Sequence, residues 1–285
     1  MPDRRLDAKA LAWLRERLLL GADIGAAVAE LRKHGYSEAA IIMGFEAVRP
    51  RGNALANGAM QSLPLIRRAP PNLRRLENPK VDLYTLEDFL GDAECARLVA
   101  LAGHHLKPST VSENDDPARE FRNSTTAYIG HLKSPAARAV DAKICRTLGI
   151  RAAYSEGIQA QRYDVGQQFK PHWDAFEPGS DAFRRFGGVR GNRTWTFMIY
   201  LNDDMEGGAT RFTELDIAVR PRKGMALLWN NLNPDGTPNI ATKHCGEPVT
   251  RGHKIIITKW FRVHGDGPVL DESVTGPTTG RAGIA

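Results

Sequence analysis

Along the first 48 residues, apolar positions recur at helical spacing. Leu11, Leu14 and Leu18 share one face. Asp23 reads as an N-cap opening a second helix that carries Ile24, Val28 and Leu31 and ends before Gly35. A third starts at Ser37, carries Ile41, Phe45 and Val48, and stops at Pro50. The pattern predicts a small helical region over residues 1–48, packed on the rest of the chain or holding a partner. Over 49–80 the periodicity fades and Gly, Pro, Asn and Arg recur, which reads as a basic linker. From 81 a new pattern begins. "VDLYTLEDFL" suggests a strand and a turn, "DAECARLVALAG" a helix capped by Asp92 and ended by Gly103, and "SPAARAVDAKICRTLG" a helix over 134–149. Strand-like runs follow: "GIQAQRYDV", "TWTFMIYLN", "MALLWNN" and "HKIIITKWFRV". Strands in succession without alternating helices predict an antiparallel sheet or barrel in a mainly β unit, and exclude a doubly wound fold. The unit spans 81–264. The tail 265–285 has little to bury and reads as disordered.

Composition narrows the function classes. The chain has 285 residues, 42% of them hydrophobic and 25% charged, as in soluble globular proteins. Its net charge is +6, with much of the excess between residues 49 and 80 and in "FRRFGGVRGNR" at 183–193. No zinc finger, aromatic RNA-binding strand or recognition helix accompanies that charge, so a nucleic-acid partner is disfavoured against one anionic ligand. Three scattered cysteines, Cys95, Cys145 and Cys245, give neither a disulfide framework nor a CxxC metal site. No signal-like segment and no membrane-spanning run is read, which gives a cytoplasmic expectation with no membrane partner.

Candidate chemistry centres on "KPHWDAF", residues 170–176. In a strand, His172 and Asp174 would present an imidazole and a carboxylate on one face, with Trp173 on the other. Alone, such a pair also occurs as ordinary polar punctuation. Downstream, His244 in "ATKHCGEPV" adds a second imidazole. Two His and one carboxylate make the facial triad that leaves positions open on non-haem iron, whereas structural zinc sites are closed by further Cys or His. Lys254 opens the apolar run "KIII" and either snorkels or pairs with a buried anion. "GGAT" at 207–210 gives a tight turn ahead of Thr210, and Tyr163 offers a phenol or simply fills the core.

The segments "QRYDVGQQFKPHWDAF", "GGATRFTE", "VRPRKGMALLWNNLNPDG", "KHCGEPVTRGHK" and "TKWF" together resemble the prolyl 4-hydroxylase family of iron(II)/2-oxoglutarate oxygenases, over roughly residues 81–263. The resemblance implies a double-stranded β-helix, or jelly roll, flanked by helices. It implies iron(II) held by His172, Asp174 and His244 as the catalytic centre, and 2-oxoglutarate held by Lys254 with Tyr163 and Thr210. It places Arg122 and Ser124, Arg193 and Trp260 on the substrate side. Dioxygen as cosubstrate, ascorbate as reductant and a prolyl residue of a peptide or protein as substrate are implied in the same way. Two positions depart from the family pattern. Phe169 stands where Tyr is frequent, and Arg262 where His is frequent. Both fall toward the substrate, as does the lid-like stretch "EPGSDAFRRFGGVRGNR". Hydroxylation of a free amino acid or another small molecule is the competing enzymatic reading. A non-catalytic binding or regulatory protein, recruiting through the N-terminal helices, is the reading from another class.

Overall fold

A computed structural model describes residues 5–19, 23–48, 69–109 and 122–270. The three predicted N-terminal helices form: α1 (Ala8–Leu19), α2 (Ile24–Lys33) and α3 (Glu38–Val48). They bury Leu14, Leu18, Leu31 and Ile41 against one another. Asp23 caps α2 as its sequence position suggested, its Oδ1 accepting from the backbone N–H of Gly25 at 2.7 Å.

Most of the stretch read as a linker, and of the tail read as disordered, lies outside the described residues. The end of the linker stretch forms β1 (Leu73–Arg75). The start of the tail is tied down: Tyr154 donates to the carbonyl of Gly267 at 2.6 Å, and Arg151 N–H to that of Val269 at 2.9 Å.

Two antiparallel sheets dominate the rest. In chain order the strands are β2 (Leu83–Leu86), β3 (Lys107–Pro108), β4 (Thr125–Ala127), β5 (Gln159–Asp164), β6 (Phe169–His172), β7 (Arg193–Tyr200), β8 (Glu206–Gly207), β9 (Thr210–Phe212), β10 (Ile217–Val219), β11 (Ala226–Asn230), β12 (His244–Gly246), β13 (Val249–Arg251) and β14 (His253–Arg262). The large sheet runs β1-β2-β11-β7-β14-β5-β4-β3 and the small one β10-β9-β12-β6, while β8 and β13 pair separately.

The central strands of the large sheet are buried on both faces, and the alternation of side chains shows how. Trp195, Phe197 and Ile199 of β7, Ala226 and Leu228 of β11, and Ile255 and Ile257 of β14 face the helical layer of α4 (Asp92–Gly103) and α5 (Pro135–Leu148). Met198 and Tyr200, Leu227 and Trp229, and Ile256 point the other way, to a second core shared with Phe212 of the small sheet. A strand buried on both faces reads as a near-continuous hydrophobic run, as "TWTFMIYLN" and "KIIITKWF" do, with Lys254 and Thr258 the polar positions turned to a pocket. Helix α5 ends as predicted at Gly149, whose φ of 70° closes it in the left-handed region. Helix α4 differs in detail. Its N-cap is Gly91, and the Glu94 carboxylate accepts from the Gly91 N–H at 2.9 Å, so Asp92 is the first helical residue and not the cap. At the other end Gly103 is still helical and His104 is the cap.

Candidate active site between the two sheets

Strands β6 and β12 pair antiparallel with His172 directly opposite His244. Their ring centroids are 4.3 Å apart. Each ring is fixed by its own chain. His172 Nδ1 lies 2.8 Å from the carbonyl of Lys170, and His244 Nδ1 lies 2.9 Å from that of Thr242. A proton held on each Nδ1 leaves each Nε2 bare, the tautomer a metal ligand needs. Asp174 completes the group, its carboxylate oxygens 3.9 Å from His172 Nε2 and 4.0 Å from His244 Nε2.

Asp174 does not sit on the strand that was expected to carry it. Strand β6 ends at His172, and Asp174 lies in the bend that follows. Its orientation comes from β7, where the Thr196 hydroxyl donates to Oδ2 at 2.6 Å. Thr196 in turn accepts from Asn231 Nδ2 at 2.8 Å, and Asn231 Oδ1 accepts from Trp229 Nε1 at 2.8 Å. Trp173 does face away as expected, and its indole donates to the Ile240 carbonyl on the surface.

Burial, then the neighbouring His244, keeps the His172 imidazole neutral well below its ordinary pKa. Burial raises the Asp174 carboxyl, but His244 and His172 more than offset that, so the carboxylate stays ionised. Two imidazoles and one carboxylate, with ligand atoms within 4.8 Å of one another, fit a divalent ion of borderline softness. Among the described residues they are the one His/Cys/Asp/Glu group with that arrangement.

The pocket beside this group encloses about 460 Å³, open solvent included. Alternate residues of β14, Lys254, Ile256, Thr258 and Trp260, form one wall. Tyr163 and Thr210 also line it, as predicted. Thr210 opens β9, as its sequence position suggested, and accepts from the Tyr200 hydroxyl at 2.8 Å. Lys254 does not snorkel. It is 1% exposed, donates to the Gly208 carbonyl at 2.8 Å and lies 4.8 Å from the Tyr163 ring centre. Burial pushes its pKa down to about 8, against a smaller upward pull from Cys245 and Glu247, and among the described residues no carboxylate forms a salt bridge with it. A Cβ at Gly246 would come within 3.3 Å of Nζ, so the glycine keeps the space before the ammonium clear. A buried cation with cleared space fits an anionic ligand group.

The substrate-side residues divide into two groups. Arg122 lines the pocket, donating to the hydroxyls of Ser124 and Thr126 at 3.1 Å each. It lies over Phe169, whose ring stacks 3.5 Å from that of His172. Phe169 therefore covers a candidate metal ligand where a tyrosine would carry a hydroxyl. Arg193 lies 4.0 Å over the Trp260 ring. Its Nε and Nη2 are held by Glu156 at 2.7 and 3.0 Å. Arg262 donates to the same carboxylate at 2.7 Å. The sequence drew no attention to Glu156, which lies in a loop far from both arginines along the chain. Its carboxyl is raised by burial but brought down to about 2 by Arg193 and Arg262. Among the described residues, Trp260 Nε1 is buried without an acceptor.

Comparison with known proteins agrees with this architecture. Residues 158–262 match the family model of the 2OG-Fe(II) oxygenase superfamily. Over 217 residues the chain is 32% identical to "Probable prolyl 4-hydroxylase 4" of Arabidopsis thaliana, covering 68% of this chain and 71% of that one. The chain belongs to the prolyl 4-hydroxylase family of iron(II)/2-oxoglutarate oxygenases. The matched family model is that of oxygenases dependent on iron(II) and 2-oxoglutarate. Human prolyl 4-hydroxylase subunit alpha-1 is 32% identical over 190 residues, covering 65% of this chain. The match spans 35% of that subunit, about a third of its length. The viral collagen prolyl hydroxylase of Paramecium Bursaria Chlorella virus-1 shares the fold, with a TM-score of 0.50 at 23% identity over 63% of this chain and 94% of that one. The fold is thus the jelly roll that the oxygenase resemblance implied. Among the described residues, no helix of this oxygenase is long and apolar enough to cross a membrane.

Proposed function

We propose that this oxygenase hydroxylates prolyl residues in a peptide or protein, with the 81–264 unit as its catalytic domain. In this reading His172, Asp174 and His244 hold iron(II), and Lys254, with Tyr163 and Thr210, holds 2-oxoglutarate. The observation that carries it is a pocket combining an open ligand triad with a buried lysine that, among the described residues, forms no salt bridge. Relatives at 32% identity that are named prolyl 4-hydroxylase subunit alpha-1 and probable prolyl 4-hydroxylase 4 support the substrate class.

With 2-oxoglutarate and dioxygen, iron(II) in such a site supplies an oxidant for an unactivated C–H bond, releasing succinate and carbon dioxide. The chain's own residues bind and position. Carbonyls of Lys170 and Thr242 keep the imidazoles in their ligating tautomer. The Thr196–Asn231–Trp229 chain aims the Asp174 carboxylate. Lys254 Nζ neutralises the far carboxylate of the cosubstrate within a low-dielectric wall. On the substrate side, Trp260 Nε1 is a donor awaiting a carbonyl, and a peptide supplies one. Arg122, with Ser124 behind it, presents a guanidinium to the same pocket. Arg193 acts through its stacked face on Trp260, because Glu156 already holds its forked edge. That saturation argues against Arg193 as a clamp for the carboxylate of a free amino acid.

The test is to incubate the protein with iron(II), 2-oxoglutarate, ascorbate and a proline-rich peptide. The expected result is succinate formed in step with one added oxygen on proline, read by mass spectrometry. Succinate without peptide oxidation, together with oxygen added to a free amino acid, would overturn the prolyl reading.

A further inference from the structure

The segment between Phe176 and Asn192 is a closed loop. Phe176 N–H donates to Asn192 Oδ1 at 2.8 Å, and Asn192 Nδ2 returns a bond to the Phe176 carbonyl at 2.7 Å. The loop starts two residues after Asp174 and delivers Arg193 to the head of β7. On its inner side, Phe186 stacks on Phe176 at 6.0 Å, and Phe176 lies under both Arg193 and Arg262. Arg262 also donates to the Phe186 carbonyl. On its outer side the loop meets the N-terminal helices. Arg185 donates through Nε to Asp23 Oδ2 at 2.7 Å, and through Nη2 to the same oxygen. Val189 packs against the core of the helical bundle, and Ile24 Cδ1 lies 3.7 Å from where a Cβ on Gly188 would be.

We infer that the N-terminal helical bundle is a positioning strap for the substrate wall of this oxygenase: it grips the 176–192 loop through Asp23 and Arg185 and so sets the placement of Phe176 beneath Arg193 and Arg262. The inference rests on the substrate-side reading of that wall. Its physical basis is a division of labour within one carboxylate. Asp23 Oδ1 caps α2 through Gly25 and Ala26, while Oδ2 takes the Arg185 guanidinium. The pair is partly buried, with side chains 19% and 33% exposed, so its contribution is less screened than that of a surface pair. A loop held on one side by the jelly roll and on the other by a separate bundle has few ways to open unless the outer grip is released. The bundle thereby has a function beyond that of a packing accessory.

Asp23→Asn isolates the strap, because asparagine caps a helix as well as aspartate does but removes the charge facing Arg185. Arg185→Gln removes the pair from the other side. Hydrogen exchange of the full chain is the direct readout. Amides of 177–191 should exchange roughly two- to fivefold faster in either variant, the range that one such ion pair supports. The double variant should exchange no faster than the more affected single one. Exchange in β7 and β14 should stay as in the wild type. With a proline-rich peptide, KM should rise by a similar factor while kcat holds. Unchanged exchange of 177–191 in both single variants would overturn the strap, and so would faster exchange spread over the whole jelly roll. Faster loop exchange with no peptide hydroxylated by any form would leave the strap standing and remove the prolyl reading.

Discussion

Two kinds of buried cation lie at opposite ends of β14, and they differ in what neutralises them. Arg262 and Lys254 lie on the same strand and are each 1% exposed. Arg262, with Arg193, shares the Glu156 carboxylate. Lys254 has a carbonyl, an aromatic face and cleared space in front of it. Leaving a charge buried without a counter-charge is costly, so a fold retains it where a ligand completes the pair. The lesson is that the arginine pole is a finished piece of structure, while the lysine pole waits for an anion. In the proposed reading, the substrate side is the completed frame and the cosubstrate side the receptor.

Glu156→Gln should break the finished pole with the largest effect on stability. It leaves two buried guanidinium groups without their carboxylate, at a cost of about 3 kcal/mol or more in chemical denaturation. The sign with pH follows from the same pair. The Glu156 carboxyl titrates at about 2 in the fold against an ordinary 4.5, so its stabilisation is present above the ordinary value and is lost as pH falls from there toward the folded one. The acid limb of the wild-type stability profile should be steeper in that window than that of the variant.

Lys254→Met tests the waiting pole. Without 2-oxoglutarate the variant should melt higher than the wild type, by roughly 1 kcal/mol or more, because an unneutralised ammonium has been replaced by an apolar side chain. Its KM for 2-oxoglutarate should rise roughly thirtyfold or more, equivalent to about 2 kcal/mol for one partner of a buried charge pair. A lower melting point with unchanged KM would erase the distinction between the poles. In the wild type, the ammonium of the free enzyme loses its proton as pH rises through about 8. The requirement for 2-oxoglutarate should therefore increase above that pH, while the stability of the ligand-free protein gains as pH climbs from about 8 toward the ordinary lysine value of 10.5. Thr196→Val is the smallest change. Removing the hydroxyl that aims Asp174 should weaken metal affinity by about ten- to a hundredfold, read by chelator competition, and leave the fold intact.

The contrast between the poles also explains how much could be read from the sequence. His172, Lys254 and Thr210 were placed on strands from the sequence, and the structure puts each on one, His172 at the end of β6, Lys254 near the start of β14 and Thr210 opening β9. The central strands were legible as continuous apolar runs. Asp174 was identified for an incomplete reason: the strand stops before it, and a hydroxyl from β7 orients it. Glu156 was invisible because its role arises where a loop, the head of β7 and the end of β14 converge, which no local spacing encodes. The grip of Asp23 on Arg185 was hidden for the same reason, since the capping pattern of Asp23 accounts for only one of its two oxygens. Gly91 escaped notice because its N–H is satisfied by Glu94, so the cap needs no side chain of its own.

The most direct test of the metal centre is an anaerobic calorimetric titration of iron(II) into the wild-type protein and into Asp174→Ala. One ion per chain should bind the wild type, and 2-oxoglutarate should then bind tightly only to the iron-loaded form. Affinity for iron(II) should fall by at least about a hundredfold in the variant, beyond what loss of a supporting hydrogen bond produces. Equal iron binding by both proteins would contradict the account and place the metal elsewhere.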